Sequence, residues 1–458
     1  MSLSDQLYQL LYDIGHLGVE FTLIGGACAV LIIGLFRVPI HVVKLSTALV
    51  LLSALWNVGS SSESLFGEMV ESSRLSWAIT KIMVLISMAL LIFKTSPNQR
   101  SSYYFILLIT LAGAIWMMHA RHFLLIYLAV EMVSYGSYLM TNFSFEKKAH
   151  EAGIKYLLFG GVCSAIMLFG ISMLYGVNGH LFLTSVSMDS SYAKMGAVLF
   201  LVGVLFKVSA APFHTWVPNV YQAAPADATA FISIVPKLSA LILLQLVLHA
   251  WTWLNIPVIV FGLLSIAMGT FGAIKQTNLR RLVSYGAIAH TGFLMAFILF
   301  DLRVEGFVLY AAIYALMNVV IFYAIASYEN LQCFTLEDIK GSGNQNPILG
   351  VSITIALLSL IGLPPTAGFT SKWILFAGIW EQYQFSWGQW AFVYLLISVF
   401  ATAIALYYYL RPTYFLFLIE NEHTGLSKVS IKPIIVLILL SFCIIGLFMY
   451  PQVLEGLY

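Results

Sequence analysis

Apolar runs of helix length recur along the whole chain of 458 residues, and this feature constrains the fold more than any other. About 20 consecutive apolar residues are needed for a helix to cross the hydrocarbon core of a bilayer. In that core every backbone N–H and C=O group must be bonded within the protein, and a helix bonds them all within one segment. The sequence therefore predicts an all-α, polytopic membrane protein.

The composition agrees with this prediction. Hydrophobic residues make up 60% of the chain, charged residues 9%, and the mean hydropathy is +0.92. Soluble globular proteins are about 45–50% apolar and about 25% charged. The net charge of +2 leaves no polybasic surface, so we exclude a nucleic-acid binder as well as a disordered chain. The four cysteines lie far apart without a C-x-x-C motif, and we expect no iron–sulfur cluster or other bound metal in this chain.

Fourteen segments are predicted to cross the membrane. They lie at about 17–37, 39–57, 75–94, 102–119, 121–141, 152–175, 195–223, 227–250, 256–275, 281–300, 304–328, 347–380, 390–418 and 432–451.

Basic residues are distributed unevenly between the two sides of these segments. The positions that follow even-numbered segments are Arg74, Arg121, Lys194 and Arg303. Those that follow odd-numbered segments are Arg37, Lys44, Lys94, Arg100, Lys147, Lys148, Lys275, Arg280, Arg281, Lys340, Arg411, Lys428 and Lys432. Because cytoplasmic loops carry the excess of Lys and Arg, we expect both termini on the non-cytoplasmic side, which requires an even number of spans.

Ionisable residues inside the predicted spans are the candidate functional residues. Five lysines and one clear mid-span carboxylate, Glu131, fall there; the lysines are Lys81, Lys155, Lys207, Lys237 and Lys372. Each such group costs on the order of 3 kcal/mol on insertion scales and usually faces a protein interior or a wet path. A buried lysine, unlike an arginine, can release its proton. Helix-to-helix ion pairing remains an alternative for Glu131, and Lys81 and Lys155 are near enough to span ends to reach the interface.

Two segments are too long for a simple crossing, 195–223 and 347–380, and both contain proline among small residues near the middle. Proline kinks or breaks a helix, and a break within a membrane needs protein or water to satisfy the freed groups. We expect discontinuous helices at spans 7 and 12, although simple proline kinks remain an alternative. Their separation by five spans predicts two inverted five-helix repeats.

The corresponding domain division has four parts. Residues 1–101 hold helices 1–3, residues 102–250 the first repeat (helices 4–8), residues 251–418 the second, inverted repeat (helices 9–13), and residues 419–458 helix 14. His214 follows the first predicted break and His290 lies within span 10. Each is either a packing residue or a proton-transfer residue. Nucleotide-binding motifs are missing from the sequence, so energy must come from an ion gradient or from partner subunits.

Several segments resemble the antiporter-like membrane subunits of respiratory complex I and their relatives among Mrp-type cation/proton antiporters. The segments are LLIYLAVEMVSYGSYLM, EAGIKYLLFGGVCSAIMLFGISMLYG, FKVSAAPFHTWVPNVYQAAPADATAFISIVPK, QTNLRRLVSYGAIAHTGFLMA and GLPPTAGFTSKW. V-Y-Q-x-A-P followed by V-P-K is most similar to the N-type members of bacterial NADH:quinone oxidoreductase, and a lysine in span 12 differs from the M-type.

The resemblance implies a proton-translocating subunit in a bacterial inner membrane. Glu131 and Lys207 would form an ion pair that controls the channel, and Lys155 would assist on the cytoplasmic side. Lys237 would be the central proton site and Lys372 the exit-side site, with His214 connecting near the break. FMN, iron–sulfur clusters and quinone would belong to partner subunits, and the neighbours would be M-type and small K-type subunits together with lipid.

One stretch departs from the family pattern. Where relatives carry a T-P-V-like sequence, this chain has Ala226-Asp227-Ala228. Asp227 either caps the next helix or supplies protons toward Lys237. Other functions remain open. The chain could belong to an Mrp-type gradient-driven antiporter without electron transfer, or to a related membrane-bound hydrogenase or photosynthetic-type dehydrogenase complex. It could also be a structural spacer in which the buried charges only join helices.

Overall fold

The computed structural model describes residues 3–59, 62–93, 101–144, 146–331, 333–385, 387–419 and 431–453. The helices in these ranges are α1 Leu3–Gly15, α2 Gly18–Leu35, α3 Ile40–Trp56, α4 Arg74–Leu90, α5 Ser101–His119, α6 Phe123–Thr141, α7 Lys147–Asn178, α8 Ser191–Val208, α9 Val217–Ala223, α10 Ala226–Ala250, α11 Asn255–Ile274, α12 Leu279–Leu299, α13 Val304–Glu329, α14 Ser342–Gln345, α15 Pro347–Ile361, α16 Ala367–Phe385, α17 Gly388–Phe417 and α18 Ile431–Met449. Strands β1 Ser64–Leu65 and β2 Val70–Glu71 form a small antiparallel hairpin.

The predicted all-α membrane fold is confirmed. Each of the fourteen predicted segments contains helix, and ten helices of the described part are long and apolar enough to cross a membrane. Three further apolar helices are shorter, at Ile40–Trp56, Pro347–Ile361 and Ile434–Met449. The inverted five-helix repeats and the four-part domain division stay predictions. Of the basic loop residues, Lys94, Arg100 and Lys428 lie outside the described residues, as does the side chain of Lys432.

Three elements are absent from the sequence prediction: α1, the β1–β2 hairpin and the four-residue helix α14. Helix α1 has 13 residues and is too short for a span, and its buried Asp13 separates it from the apolar runs. Asp13 Oδ2 accepts a hydrogen bond of 2.8 Å from the backbone N–H of Phe66 in the hairpin turn. The hairpin pairs Ser64 with Glu71 and Leu65 with Val70, too few residues to produce a readable alternation.

The chain forms two compact units. The first contains the residues up to Val208 and Val235–Thr252; the second contains Ser209–Ile234 and the residues from Trp253 onward. Small residues permit close helix packing inside each unit. In the first unit a Cβ at Gly170 of α7 would lie 2.6 Å from the carbonyl oxygen of Gly196 in α8. In the second, a Cβ at Gly269 of α11 would lie 2.4 Å from the backbone nitrogen of Ala289 in α12.

The two predicted helix interruptions are observed. Helix α8 ends at Val208, and Ser209 adopts a left-handed conformation with φ of 67° before the chain continues to α9. The freed backbone N–H of Ala211 donates to Ser265 Oγ at 2.8 Å within the second unit. Helix α15 ends at Ile361, and Gly362 has a φ of 89°.

Candidate functional site

Three lysines on apolar helices are almost completely buried. The exposed fraction is 3% for Lys207, 1% for Lys237 and 4% for Lys372. Removing an ammonium group from water is costly unless other groups compensate or the proton leaves. The surroundings of each amine therefore decide what it can do.

Lys207, near the end of α8, lies among aromatic rings of the first unit. Its Nζ atom is 5.4 Å from the ring centre of Tyr138, 5.9 Å from that of Tyr156 and 5.3 Å from that of Phe206. Among the described residues Lys207 Nζ has no hydrogen-bond partner. Rings attract a cation weakly compared with a carboxylate, so this amine is held in place without a fixed acceptor.

Glu131 of α6 is half-buried and interacts electrostatically with Lys207. Lys207 Nζ makes no hydrogen bond to Glu131 in the described part of the chain, and the predicted ion pair that controls the channel stays a prediction. Tyr138 also interacts electrostatically with Glu131, and its hydroxyl is buried. Sequence reasoning missed Tyr138, although its position seven residues after Glu131 places both on one helix face.

Lys155 of α7 has an exposed side chain. Its exposed fraction is 59%, and Nζ bonds to Glu151 Oε1 one turn earlier at 2.6 Å. Leu158 and Val162, about one and two turns further along α7, are also exposed. Lys155 therefore lies on an outer face of this chain, and the structure does not bring it together with Lys207.

Lys237 follows Pro236 inside α10, a helix whose residues are mostly buried. Asp227 lies in the first turn of the same helix and is 8% exposed. A carboxylate at this position is favoured by the helix dipole.

Lys372 of α16 is held by hydrogen bonds in the second unit. Its Nζ atom donates to the carbonyl oxygen of Ile361 at 2.9 Å and to Thr402 Oγ1 at 3.5 Å. The Phe293 ring centre is 4.8 Å away. Ile361 is the last residue of α15, so the amine satisfies a carbonyl at the helix interruption.

The two predicted histidines lie in the second unit and are both buried. His214 is 6% exposed, lies between Ser209 and α9, and its Nδ1 atom has no hydrogen-bond partner in the part of the chain described. His290 of α12 is 2% exposed, and its Nδ1 atom is 2.8 Å from the hydroxyl of Tyr310 in α13. Both imidazoles are buried, and their predicted roles in proton transfer stay predictions.

An arginine clamp, Arg280 with Glu329, holds the short helix α9. Arg280 pairs through two nitrogens with the Glu329 carboxylate and donates to the carbonyl oxygens of Tyr221 and Ala224 at the end of α9. Such forked, charge-assisted bonds fix geometry strongly. The sequence predicts Arg280 only as a cytoplasmic charge, because apolar periodicity does not show which arginine turns inward.

Within the described ranges, no group of three or more His, Cys, Asp or Glu side chains is arranged to hold a metal ion.

A polytopic helical membrane protein with buried lysines beside interrupted helices is the class that this fold and these residues define. A family model described as "NADH:quinone oxidoreductase/Mrp antiporter, TM" matches residues 120–405, more than half of the chain. The chain belongs to this family.

Curated relatives match over most of their length. The chain is 34% identical over 352 residues to NADH-quinone oxidoreductase subunit N of Anaeromyxobacter sp. (strain Fw109-5), covering 69% of this chain and 68% of that protein. It is 31% identical over 420 residues to subunit N 1 of Thermodesulfovibrio yellowstonii, covering 88% and 89%.

Solved structures share the fold. A chain of respiratory complex I from Thermus thermophilus matches with a TM-score of 0.83 and 27% identity, over 96% of this chain and 99% of that one. A chain of the Mrp complex from Dietzia sp. DQ12-45-1b matches with a TM-score of 0.82 at 17% identity, over 98% and 96%, and this likeness concerns the fold alone.

Proposed function

We propose that the chain is the N-type, proton-translocating membrane-arm subunit of an NADH:quinone oxidoreductase. The burial of Lys207, Lys237 and Lys372 to 4% exposure or less carries the proposal. Groups that can gain and lose a proton are placed where a permanent charge would be costly. The family membership and the subunit N relatives support the same function.

In this mechanism, quinone reduction elsewhere in the complex changes the charge near Glu131. A change in the electrostatic interaction between Glu131 and Lys207 of about 1.4 kcal/mol would shift the proton affinity of Lys207 about tenfold. Lys207 then loses stabilisation and gives up its proton, and protons pass by way of Lys237 and Lys372, with His214 and His290 as intermediate carriers. Lys155 assists on the cytoplasmic side, from an exposed face of α7 where its amine pairs with Glu151.

The assembly follows from the same proposal. The chain lies in a bacterial inner membrane with both termini on the non-cytoplasmic side, and helices 4–8 and 9–13 are inverted repeats. Its neighbours are M-type and small K-type subunits and lipid. FMN, iron–sulfur clusters and the quinone are held by other subunits, so this chain contributes proton transfer and no redox chemistry.

Lys237→Met in the assembled complex tests the proposal. We expect NADH-driven proton pumping in membrane vesicles to fall at least about tenfold, since a positioned acid–base group contributes roughly 100-fold or more. Lys340→Met is the matched control, because Lys340 pairs with Glu337 in a loop and should leave pumping unchanged. Full pumping by Lys237→Met would refute the proposal and favour a structural spacer.

The subunits that co-purify with the chain distinguish the proposed function from the antiporter alternative. A complex that contains flavin and iron–sulfur subunits supports the proposed function. One that lacks them and exchanges cations for protons along a gradient would assign the chain to an Mrp-type antiporter.

A further inference from the structure

A second buried acid–base pair lies among the N-terminal helices, away from the lysines. Glu20 is the third residue of α2, and His119 is the last residue of α5. Glu20 Oε1 and His119 Nδ1 are 3.5 Å apart, and the side chains are 3% and 2% exposed. The ring of Trp77 packs edge-on against His119 with ring centres 4.6 Å apart.

The other polar atom of each side chain is buried without a partner. Among the described residues, neither Glu20 Oε2 nor His119 Nε2 has a hydrogen bond. An unsatisfied buried polar atom costs about 1–3 kcal/mol, so a pair serving only to join α2 to α5 would be a poor solution. Both orphaned atoms can bind a proton, one on each side of the 3.5 Å contact.

The pair can hold one proton in two forms, an imidazolium with a carboxylate or a neutral imidazole with a carboxylic acid. The ionised form is favoured by the helix dipoles, because Glu20 is in the first turn of α2 and His119 is in the last turn of α5. The neutral form is favoured by burial, since separated charges lose solvation. Helix dipoles and burial therefore act in opposite directions on this pair.

The pair can be located along α5 relative to Glu131 and to the β1–β2 hairpin. On α5, Gly113 is in close contact with Met132 of α6, the neighbour of Glu131. His119 lies six residues further along α5, about 9 Å at helical rise. Just beyond it, Arg121 is hydrogen-bonded to the hairpin. Its backbone N–H donates to Met69 O at 2.8 Å, and its Nε donates to Glu71 Oε2 at 3.2 Å. The pair thus lies between the level of Glu131 and the hairpin.

We propose that Glu20 and His119 form a proton-transfer site that serves the Glu131 end of the pathway, an inference that rests on the proposed function. A proton that binds His119 Nε2 is matched by transfer of the Nδ1 proton to Glu20 Oε1 and by loss of one proton from the Glu20 carboxyl group. One proton enters and one leaves, and only N–H and O–H bonds form or break. Transfer in the opposite direction uses the same atoms.

Glu20→Gln, His119→Gln and the double variant in the assembled complex test the inference. Glutamine keeps the volume and a hydrogen bond but does not titrate, so we expect each variant to pump about tenfold less per electron. If the pair were only structural, the double variant should pump normally, because two amides can bond to each other and restore the contact between α2 and α5. Glu71→Gln, nearby and paired with Arg121, is the control that should pump normally.

Lys237→Met measured in parallel separates the two proposals. Loss of pumping in Lys237→Met with wild-type pumping in the Glu20/His119 double variant would overturn this inference alone; full pumping in Lys237→Met would overturn the proposed function.

A spectroscopic measurement covers the case in which the glutamine variants do not assemble. The infrared difference spectrum of the working complex should contain a carboxylic C=O band that shifts in Glu20→Asp, which keeps a titratable group. No shift of any carboxylic band in Glu20→Asp would overturn the inference.

Discussion

Lys207 and Lys372 look alike in the sequence, because each is a lysine in an apolar segment beside a predicted helix interruption. In the structure their amines differ in hydrogen bonding. Lys372 Nζ is bonded to the carbonyl oxygen of Ile361 at 2.9 Å, whereas Lys207 Nζ has no hydrogen-bond partner in the described residues and lies among aromatic rings. A bonded amine contributes to the structure of its interruption. An unbonded one is free to respond to a distant charge such as Glu131. The difference predicts that Lys372 has both a structural and a transfer role, and Lys207 only the latter.

The two helix interruptions also differ in the residue that adopts the left-handed conformation. The left-handed residue is Ser209 after α8 and Gly362 after α15. A Cβ at Gly362 would lie 2.8 Å from Cδ of Lys372, so glycine is required there for space as well as for conformation. At Ser209 a side chain is accommodated at a conformational cost. Gly362 and Lys372 therefore pack directly against each other at the second interruption.

The largest expected effect is on pumping by Lys207 variants. Lys207→Met and Lys207→Arg should both lower proton pumping per electron by about 100-fold, because arginine keeps the charge but does not release its proton. Pumping by purified complex in proteoliposomes measures this. If Lys207→Arg pumped normally, the role of Lys207 would be that of a fixed charge.

Gly362→Ala should cause the largest loss of stability. The left-handed conformation costs a non-glycine residue about 1–2 kcal/mol, and the contact with Lys372 adds about 1 kcal/mol or more. Gly179→Ala is the matched control, with φ of 73° and nothing within 4 Å of the added Cβ. The midpoint of thermal inactivation of the complex should fall further for Gly362→Ala. Equal shifts of the midpoint in the two variants would show that the Lys372 side chain moves aside at little cost, which would contradict its direct packing against Gly362.

Lys372→Met and Lys207→Met should differ in stability although both lose pumping. The first leaves the Ile361 carbonyl without its donor, at a cost of about 1–3 kcal/mol, while the second removes no hydrogen bond. Thermal inactivation measured on both variants checks this. A larger loss for Lys207→Met would contradict the contrast between the two amines.

Sequence reasoning found the elements and the interruptions because apolar length and proline are local signals. A helix lies at each of the fourteen predicted segments, and the chain leaves its helices after Val208 and Ile361 as predicted. Side-chain direction was harder to predict. In a membrane the lipid-facing side of a helix is as apolar as the buried side, so periodicity does not show that Lys155 faces outward and Lys237 inward.

Pairs that are distant in sequence were not predictable for the same reason. Glu20 and His119 lie on helices that meet only in the folded chain, and Arg280 reaches the end of α9 from 56 residues away. Each residue looks ordinary alone: Glu20 and His119 are near helix ends, and Arg280 follows the charge bias of cytoplasmic loops. Their roles depend on tertiary contacts that one sequence does not contain.

Ser209→Gly should give the smallest effect and the finest test of the two interruptions. Glycine removes the left-handed cost of about 1 kcal/mol, but the unfolded chain gains freedom, so the net stabilisation should be below about 1 kcal/mol. The backbone path and the Ala211-to-Ser265 bond of 2.8 Å remain, and pumping should stay normal. A small rise in the thermal inactivation midpoint with unchanged pumping would mean that the strain at Ser209 is incidental. Loss of pumping with a higher midpoint would instead mean that the serine side chain, or the stiffness that it gives the turn, takes part in moving protons past Lys207.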